Sequence, residues 1–338
     1  MKLEDVKPSQ ALDAIVVGAG FAGLYMLIKL RQLGMRARVI EAGDGVGGTW
    51  YWNRYPGARC DVESMQYSYS FDEEMQQSWV WSERYPAQQE ILAYINHVAD
   101  RYQLRSDIQL STRVVGADWQ AASGHWEVRT HDGAVLRARF LISAVGCLSS
   151  ANTPSFPGLD QFKGLQLHTS QWPKEAVDLK GLRVGVMGTG SSGIQVIPQL
   201  AKQARELVVF QRTPNFSIPA WNKPLPVSEQ DAWKKDYQAH RARARETRSG
   251  ILYQYSQRST FDVDESERQA EYERRWLRGG ANFTHAFNDV FTNREANELL
   301  SEYVRQRIRQ TVQNPTVAEL LTPRDHPIGT KRICVDTD

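Results

Sequence analysis

Two glycine-rich stretches carry the clearest chemistry in this sequence of 338 residues. Residues 18–23 read GAGFAG and residues 188–193 read GTGSSG, and each stretch follows a short apolar run and precedes an apolar helical pattern. Glycines at this spacing let the backbone turn tightly against a pyrophosphate, whose charge the N–H groups of the following helix bind. The sequence therefore predicts two dinucleotide sites. The candidate phosphate-binding residues are Gly18, Gly20, Gly23, Gly188, Thr189, Gly190, Ser191, Ser192 and Gly193.

The residue at the end of the next strand separates the two sites. Glu41 lies 23 positions after Gly18, where a carboxylate accepts hydrogen bonds from an adenosine ribose, as FAD or NAD would require. The matching position after Gly188 is Gln211, and Arg212 follows it. A carboxylate repels a 2′-phosphate whereas arginine pairs with it, so we expect the second site to prefer NADPH over NADH. The alternative for Arg212 is a solvated arginine at a strand end.

The elements that must position these residues follow from the apolar patterns. The sequence predicts strand, helix and strand over 14–17, 24–33 and 37–40, and again over 183–187, 194–202 and 207–210. Residues 125–143 alternate as a hairpin that turns at Asp132 and Gly133. Helical runs over 228–245 and 264–277 lie within a segment rich in charged residues. We expect an α/β fold with two Rossmann-like domains, a β-meander insertion and a helical insertion.

Composition excludes several classes of partner. Lys and Arg total 41 against 39 Asp and Glu, and a net charge of +2 gives no general attraction to nucleic acid or to an anionic membrane. Three scattered cysteines predict a reducing compartment, no disulfide framework and no metal site. No apolar run reaches the roughly 18 residues of a membrane span. We therefore expect a cytoplasmic protein that binds neither membrane nor nucleic acid.

Two further stretches carry a family resemblance. Residues 46–61, VGGTWYWNRYPGARCD, have a composition suited to lining a large planar cofactor, although aromatic clusters more often serve the core. Residues 162–173, FKGLQLHTSQWP, match the pattern FxGxxxHxxxW followed by P or D between the two glycine motifs. In these features the chain resembles the class B flavoprotein monooxygenases, and within them the Baeyer–Villiger monooxygenases. The pattern residues are Phe162, Gly164, His168, Trp172 and Pro173.

The resemblance implies FAD at the first site, NADPH at the second, and a peroxyflavin that inserts one oxygen from O2 beside a ketone carbonyl to give an ester or lactone. It assigns Arg332 to the stabilisation of negative charge and Asp61 to the positioning of Arg332. Lys331 and Arg212 would hold the 2′-phosphate. The residues alone favour a different interpretation, in which Asp61 caps a turn or short helix and Arg332 is a solvated surface arginine.

Other cofactor contacts and a hinge complete the expected site. Trp50 and Tyr67 resemble flavin-contacting residues of the family, although aromatic residues at these positions could serve packing only. Further candidate contacts in addition to Asp61 are Thr49, Trp52, Gln195 and Thr213. His168 has no nearby partner that would make it a base or a metal ligand. We expect Gly164 to permit a bend, Trp172 to anchor the segment, and His168 to hydrogen-bond across a joint between the two domains.

The expected domains are an FAD domain over 1–146, a linker over 147–180, an NADPH domain over 181–220 and 327–338, and a helical subdomain over 221–326. Because the family continues beyond this length, we expect the chain to be part of a longer protein whose C-terminal portion completes the fold. Alternative functions are oxygenation of nitrogen or sulfur, or a non-catalytic FAD- and NADPH-binding module. A disulfide reductase would need a cysteine pair that this sequence lacks.

Overall fold

The computed structural model describes residues 12–148 and 150–336. Within them the strands, numbered along the chain, are β1 (Leu12–Val17), β2 (Ala37–Ile40), β3 (Ile108–Gln109), β4 (Val114–Gln120), β5 (His125–Thr130), β6 (Val135–Ser143), β7 (Arg183–Met187), β8 (Glu206–Phe210), β9 (Ser217–Pro219) and β10 (Cys334–Asp336). The helices are α1 (Phe21–Gln32), α2 (Thr49–Trp52), α3 (Glu73–Ser78), α4 (Gln88–Arg101), α5 (Ser191–Ala201), α6 (Val227–Lys235), α7 (Tyr237–Arg245), α8 (Glu265–Arg278), α9 (Arg294–Thr311) and α10 (Pro315–Leu321).

The chain folds into two compact units. The first comprises Met1–Tyr55 and Gln88–Ala176, and the second comprises Pro56–Ala87 and Val177–Asp338. The second unit thus takes residues 56–87 from the middle of the predicted FAD domain. Because compactness groups residues by contact and not by the cofactor they bind, the sequence-based domain bounds stay a prediction. None of the helices in the described part of the chain has the length and apolar character needed to cross a membrane.

A six-stranded sheet in the order β3-β2-β1-β6-β5-β4 forms the centre of the first unit. β1 and β2 run parallel, with Val16 opposite Val39, and α1 connects them. Ile15 and Val16, whose side chains project from opposite faces of the sheet, are both fully buried, so both faces are covered at β1. The predicted strand, helix and strand around the first glycine motif are confirmed.

The meander belongs to this same sheet. β4, β5 and β6 pair antiparallel, and β6 then pairs in parallel with β1, so that Ala14 lies opposite Phe140. The predicted hairpin turn is present: Gly133 has a φ of +84°, and the Asp132 carboxylate accepts the Ala134 N–H at 3.2 Å. The insertion therefore extends the nucleotide-binding sheet and forms no separate layer.

The second unit repeats the β–α–β arrangement on a smaller sheet. β7 and β8 run parallel, with Val184 opposite Leu207, and α5 connects them. α5 begins at Ser191, three residues before the predicted start, because Gly190 already occupies the N-cap position. The α/β fold class with two Rossmann-like β–α–β repeats is confirmed.

The helices of the second unit pack around an aromatic core. The rings of Tyr272 and Tyr303 lie 5.4 Å apart, and Phe283 is fully buried beside them. β9 and β10 form a separate parallel ribbon whose Ile218 and Val335 join this core. The predicted helical run over 228–245 is interrupted at Asp236, where φ −115° and ψ 24° leave the helical region.

Candidate functional site

The first glycine turn has a backbone that only glycine can form. Gly18 has a φ of +104°, and a Cβ atom there would lie 2.6 Å from the Ala144 carbonyl oxygen. A Cβ at Gly23 would lie 1.8 Å from the Gly18 carbonyl oxygen, so Gly23 lets α1 approach the end of β1. No side chain caps the N-terminus of α1. Its N–H groups are therefore available to an anionic group such as a pyrophosphate.

The second glycine turn reproduces the first closely. Gly188 has a φ of +101°, and a Cβ at Gly193 would lie 2.5 Å from the Gly188 carbonyl oxygen. Gly20 and Gly190 cap their helices with nearly equal angles, φ −84° and ψ −167° against φ −82° and ψ −174°. A Cβ at Gly188 or Gly190 would meet no heavy atom within 4 Å, so open space adjoins this turn. Both turns fit a dinucleotide pyrophosphate.

The strand-end residues differ in chemistry, as the sequence requires. Glu41 is 5% exposed, and its carboxylate accepts the N–H groups of Ala19 and Gly43 at 2.7 Å each. Gln211 holds the matching place, where its side-chain oxygen accepts the Thr189 hydroxyl at 3.3 Å. Glu41 thus helps to shape the glycine turn as well as standing where a ribose would bind.

Arg212 and Lys331, the predicted 2′-phosphate ligands, are both exposed. Within residues 12–148 and 150–336 neither side chain forms an ion pair. Both charges are therefore available to an anion, and their role in holding a 2′-phosphate stays a prediction. Thr213, the neighbouring candidate, is half-buried.

Gly47 and Gly48 pack against the first glycine turn, a contact that the sequence analysis did not predict. Gly47 donates its N–H to the Ala19 carbonyl at 3.0 Å, and a Cβ at Gly48 would lie 2.8 Å from the Gly20 Cα atom. The two glycine stretches therefore pack backbone to backbone. The signal in the sequence was two consecutive glycines about 25 residues after the first motif. Local patterns alone do not show that these glycines contact the motif.

The aromatic candidates in the first unit follow directly after this pair. Thr49 opens α2, Trp50 is 7% exposed, and Trp52 is half-buried. The Trp50 carbonyl accepts a hydrogen bond from the Gln88 amide. Trp50 is buried enough to serve packing, so its predicted contact with a flavin stays a prediction. Tyr67, the other aromatic candidate, is half-buried in the second unit.

Asp61 and Arg332, 271 positions apart, are brought together in the second unit. Arg332 Nη2 donates to Asp61 Oδ2 at 2.9 Å. The Asp61 side chain is 14% exposed whereas that of Arg332 is 72% exposed. Burial raises the pKa of Asp61, and the hydrogen bond from Arg332 opposes that rise. A largely buried acid therefore holds an exposed guanidinium that can meet a further anion. The catalytic role of the pair stays a prediction.

Gln195 supports the Asp61 loop from α5. It is 4% exposed, and its amide donates to the Arg59 carbonyl at 3.1 Å and lies 3.5 Å from Asp61 Oδ1. Gly57 allows this approach, because a Cβ there would lie 2.3 Å from the Gln195 carbonyl oxygen. Gln195 thus helps to position the Asp61 loop, and its predicted contact with a cofactor stays a prediction.

The two cysteines beside the site, Cys60 and Cys334, are buried. Burial raises the pKa of the Cys60 thiol to about 12, and burial also raises the pKa of Cys334. All three cysteines of the chain, including exposed Cys147, are free. A thiolate or disulfide mechanism has no support at these positions.

The fingerprint segment lies in the first unit. The chain bends at Gly164, as predicted, without a left-handed backbone, and a Cβ there would lie 2.5 Å from the Phe162 ring. His168 Nδ1 accepts the Ser170 N–H at 3.2 Å and lies 2.7 Å from Ser170 Oγ. These bonds are local to the segment. Trp172 is half-buried, and the hinge role of the segment stays a prediction.

Two uncapped glycine turns, each at the start of a parallel β–α–β unit, define a protein built around two dinucleotides. Residues 15–239 match the family model described as pyridine nucleotide-disulphide oxidoreductase. The chain belongs to this family.

Relatives within it carry more specific names. The chain is 40% identical to a Baeyer–Villiger monooxygenase from Pseudooceanicola batsensis over 93% of this chain and 58% of that protein. It is 42% identical to the phenazine N-monooxygenase PhzNO1 from Lysobacter antibioticus, again over 93% of this chain and 58% of that protein. The solved structure of an OTEMO complex with FAD and NADP is 42% identical, with a TM-score of 0.93, and is matched over 97% of this chain and 63% of that one.

The resemblance to the Baeyer–Villiger monooxygenases is confirmed. The chain spans about three fifths of the length of these relatives, with 58% to 63% of each covered.

Proposed function

We propose that the protein is an NADPH- and O2-dependent flavin monooxygenase that inserts one oxygen atom beside a ketone carbonyl, giving an ester or a lactone. The observation that carries the proposal is the Asp61–Arg332 pair, in which an exposed guanidinium is fixed at 2.9 Å by a largely buried carboxylate. A relative named as a Baeyer–Villiger monooxygenase supports the same reaction.

The two glycine turns would hold the two cofactors. The first turn, with Glu41 at the ribose position, would bind FAD, and the second turn, with Arg212, Thr213 and Lys331, would bind NADPH. FAD reduced by NADPH would supply the activation of O2. The three free cysteines agree with a cytoplasmic location.

Arg332 would act on the ketone. Negative charge develops on the carbonyl oxygen when an oxygen nucleophile adds to it, and a guanidinium already in place stabilises that charge without reorganisation. Asp61 would keep Arg332 oriented, and Gln195 would keep Asp61 in place through the Arg59 carbonyl.

The proposal is tested with the purified protein, FAD, NADPH, O2 and a panel of cyclic and linear ketones. We expect NADPH to bleach the flavin absorbance under anaerobic conditions and the aerobic reaction to yield esters or lactones. Bleaching without an ester or lactone from any ketone in the panel would overturn the reaction. A bound flavin that NADPH does not bleach would favour the non-catalytic module.

Oxygenation of nitrogen is the second candidate. The 42% identity to a phenazine N-monooxygenase favours it specifically. A tertiary amine and a phenazine included beside the ketones separate the two reactions, since N-oxides formed without any ester would establish this second function.

A further inference from the structure

Asn215 joins two segments of the second unit that the sequence places far apart. Its side-chain amide donates to the Arg332 carbonyl at 2.9 Å and to Cys334 Sγ at 3.1 Å. Its side-chain oxygen accepts the Phe216 N–H at 3.0 Å. Both amide hydrogens and the oxygen are therefore used. This pattern fixes the amide orientation, because the flipped amide would set its oxygen against a carbonyl.

The backbone continues the connection beyond the side chain. Cys334 donates its N–H to the Phe216 carbonyl at 3.0 Å, and β9 then pairs with β10, Ser217 opposite Cys334. Asn215 stands just before this ribbon, at the point where the chain leaves the Arg212 and Thr213 segment. The Asn215 side chain thus connects the two chain segments at the end where the ribbon begins.

The buried thiol of Cys334 extends the connection to the glycine turn. Cys334 is fully buried, and its sulfur lies 3.9 Å from Ser191 Oγ and 4.0 Å from the Thr189 carbonyl. The turn, the Arg212 segment and the segment of Lys331 and Arg332 therefore meet around Asn215 and Cys334. Arg212 and Lys331 each lie a few residues before one of the two paired strands, Arg212 before β9 and Lys331 before β10.

We propose that Asn215 is a positioning residue that holds the segment of Lys331 and Arg332 against the segment of Arg212 and Thr213. It thereby assembles the site for the 2′-phosphate of NADPH and fixes the main chain from which Arg332 reaches Asp61. The binding part of this inference rests on the proposed NADPH site. Asn215 acts through the backbone and not by direct contact with the cofactor.

The junction itself is tested by hydrogen–deuterium exchange in the variants Asn215→Asp and Asn215→Ala. Both remove the donated hydrogen bonds, so we expect the Cys334 amide to exchange about tenfold faster, the value of one hydrogen bond. Asn288→Asp is the matched control. Its amide also donates to a backbone carbonyl, that of Gln257 at 2.7 Å, but it contacts neither Arg332 nor Cys334. Unchanged exchange at Cys334 in both Asn215 variants would overturn the inference.

The functional part is tested by the ratio of NADP+ to NAD+ affinity. We expect Asn215→Asp and Asn215→Ala to lose about tenfold in NADP+ affinity while NAD+ affinity stays constant, because only the 2′-phosphate contacts need both segments. A general loss of folding would weaken both nucleotides equally. An unchanged ratio would overturn the inference. A parent protein that does not discriminate NADP+ from NAD+ would instead refute the proposed NADPH site, and the exchange experiment would still decide the junction.

Discussion

The ion pair between Arg332 and Asp61 bears on both the stability of the protein and its proposed chemistry. Asp61 is mostly buried, which disfavours its charged form, and the hydrogen bond from Arg332 supports that form. The exposed arginine gains little stability from such a contact. Burial of a carboxylate costs free energy, and an ordinary surface arginine does not need such a partner. We therefore interpret the ion pair as an arrangement that orients Arg332.

Replacing Arg332 with alanine is expected to lower ester formation by about 100-fold or more, the usual effect of removing a group that stabilises developing negative charge. NADPH should still be consumed, since Arg212 and Lys331 remain. Product and consumed NADPH are quantified in the same reaction. Arg258→Ala is the control, because Arg258 is a half-exposed arginine paired with Glu267 at 2.6 Å and lies outside the candidate site. Equal product loss in both variants would contradict the assignment.

The pH dependence of ester formation should reflect the protonation of Asp61. Burial raises its pKa above the ordinary 3.8, so the ion pair is lost as the pH falls through that raised value, and the rate of ester formation should fall with it. Asp61→Asn should be slow at every pH and lack this acidic decline.

The titration of Asp61 should change the stability of the protein in the direction opposite to its effect on activity. The native protein binds the Asp61 proton more tightly than the unfolded chain does, so the free energy of unfolding decreases as the pH rises from 3.8 through the raised pKa. Thermal melts of the parent protein and Asp61→Asn between these pH values measure the difference. A parent protein whose melting temperature gains on that of the variant as the pH rises through this range would contradict the direction.

At the scale of elements, each nucleotide site is a strand, a glycine turn and a helix whose parts have separate duties. Gly193 serves the packing of α5 against the end of β7, because a Cβ there would lie 2.5 Å from the Gly188 carbonyl oxygen. Gly190 faces open space and has an ordinary φ of −82°. Packing and ligand access can therefore be separated by two substitutions in one turn.

Gly190→Ala should fold within about 1 kcal/mol of the parent protein, the cost of alanine at an N-cap, yet lose NADP+ binding because the methyl group enters the space for the pyrophosphate. Gly193→Ala should lose about 3 kcal/mol of unfolding free energy, since backbone cannot move aside cheaply. Chemical denaturation and NADP+ titration of both variants measure these effects. Normal NADP+ binding by Gly190→Ala would place the nucleotide elsewhere.

At the scale of the whole molecule, the sequence predicted what depends on local pattern. Both β–α–β units and the turn at Asp132 follow from periodicity and glycine spacing, and the structure contains them. The Asp61–Arg332 contact followed only from family resemblance, because no spacing rule relates residues 271 positions apart. Asn215 was missed for the same physical reason: its partners are set by the pairing of β9 with β10, which periodicity does not specify.

The cysteines of the whole chain bear on which chemistry of the family this protein could perform. Its description includes disulphide oxidoreductases, but all three cysteines here are free and two of them are buried. Exchange between a flavin and a disulfide needs a thiol pair. The proposed oxygen insertion instead uses the two nucleotide turns and the arginine that Asp61 orients.

Labelled oxygen shows directly whether the protein inserts an atom of O2 beside the ketone carbonyl. The purified protein, with FAD, NADPH and a ketone that it converts, is supplied with ¹⁸O₂, and the products are analysed by mass spectrometry. We expect an ester or lactone that carries one ¹⁸O atom, with formation of that product strongly reduced in Arg332→Ala. An ester without label, or label found only in N-oxides, would contradict it.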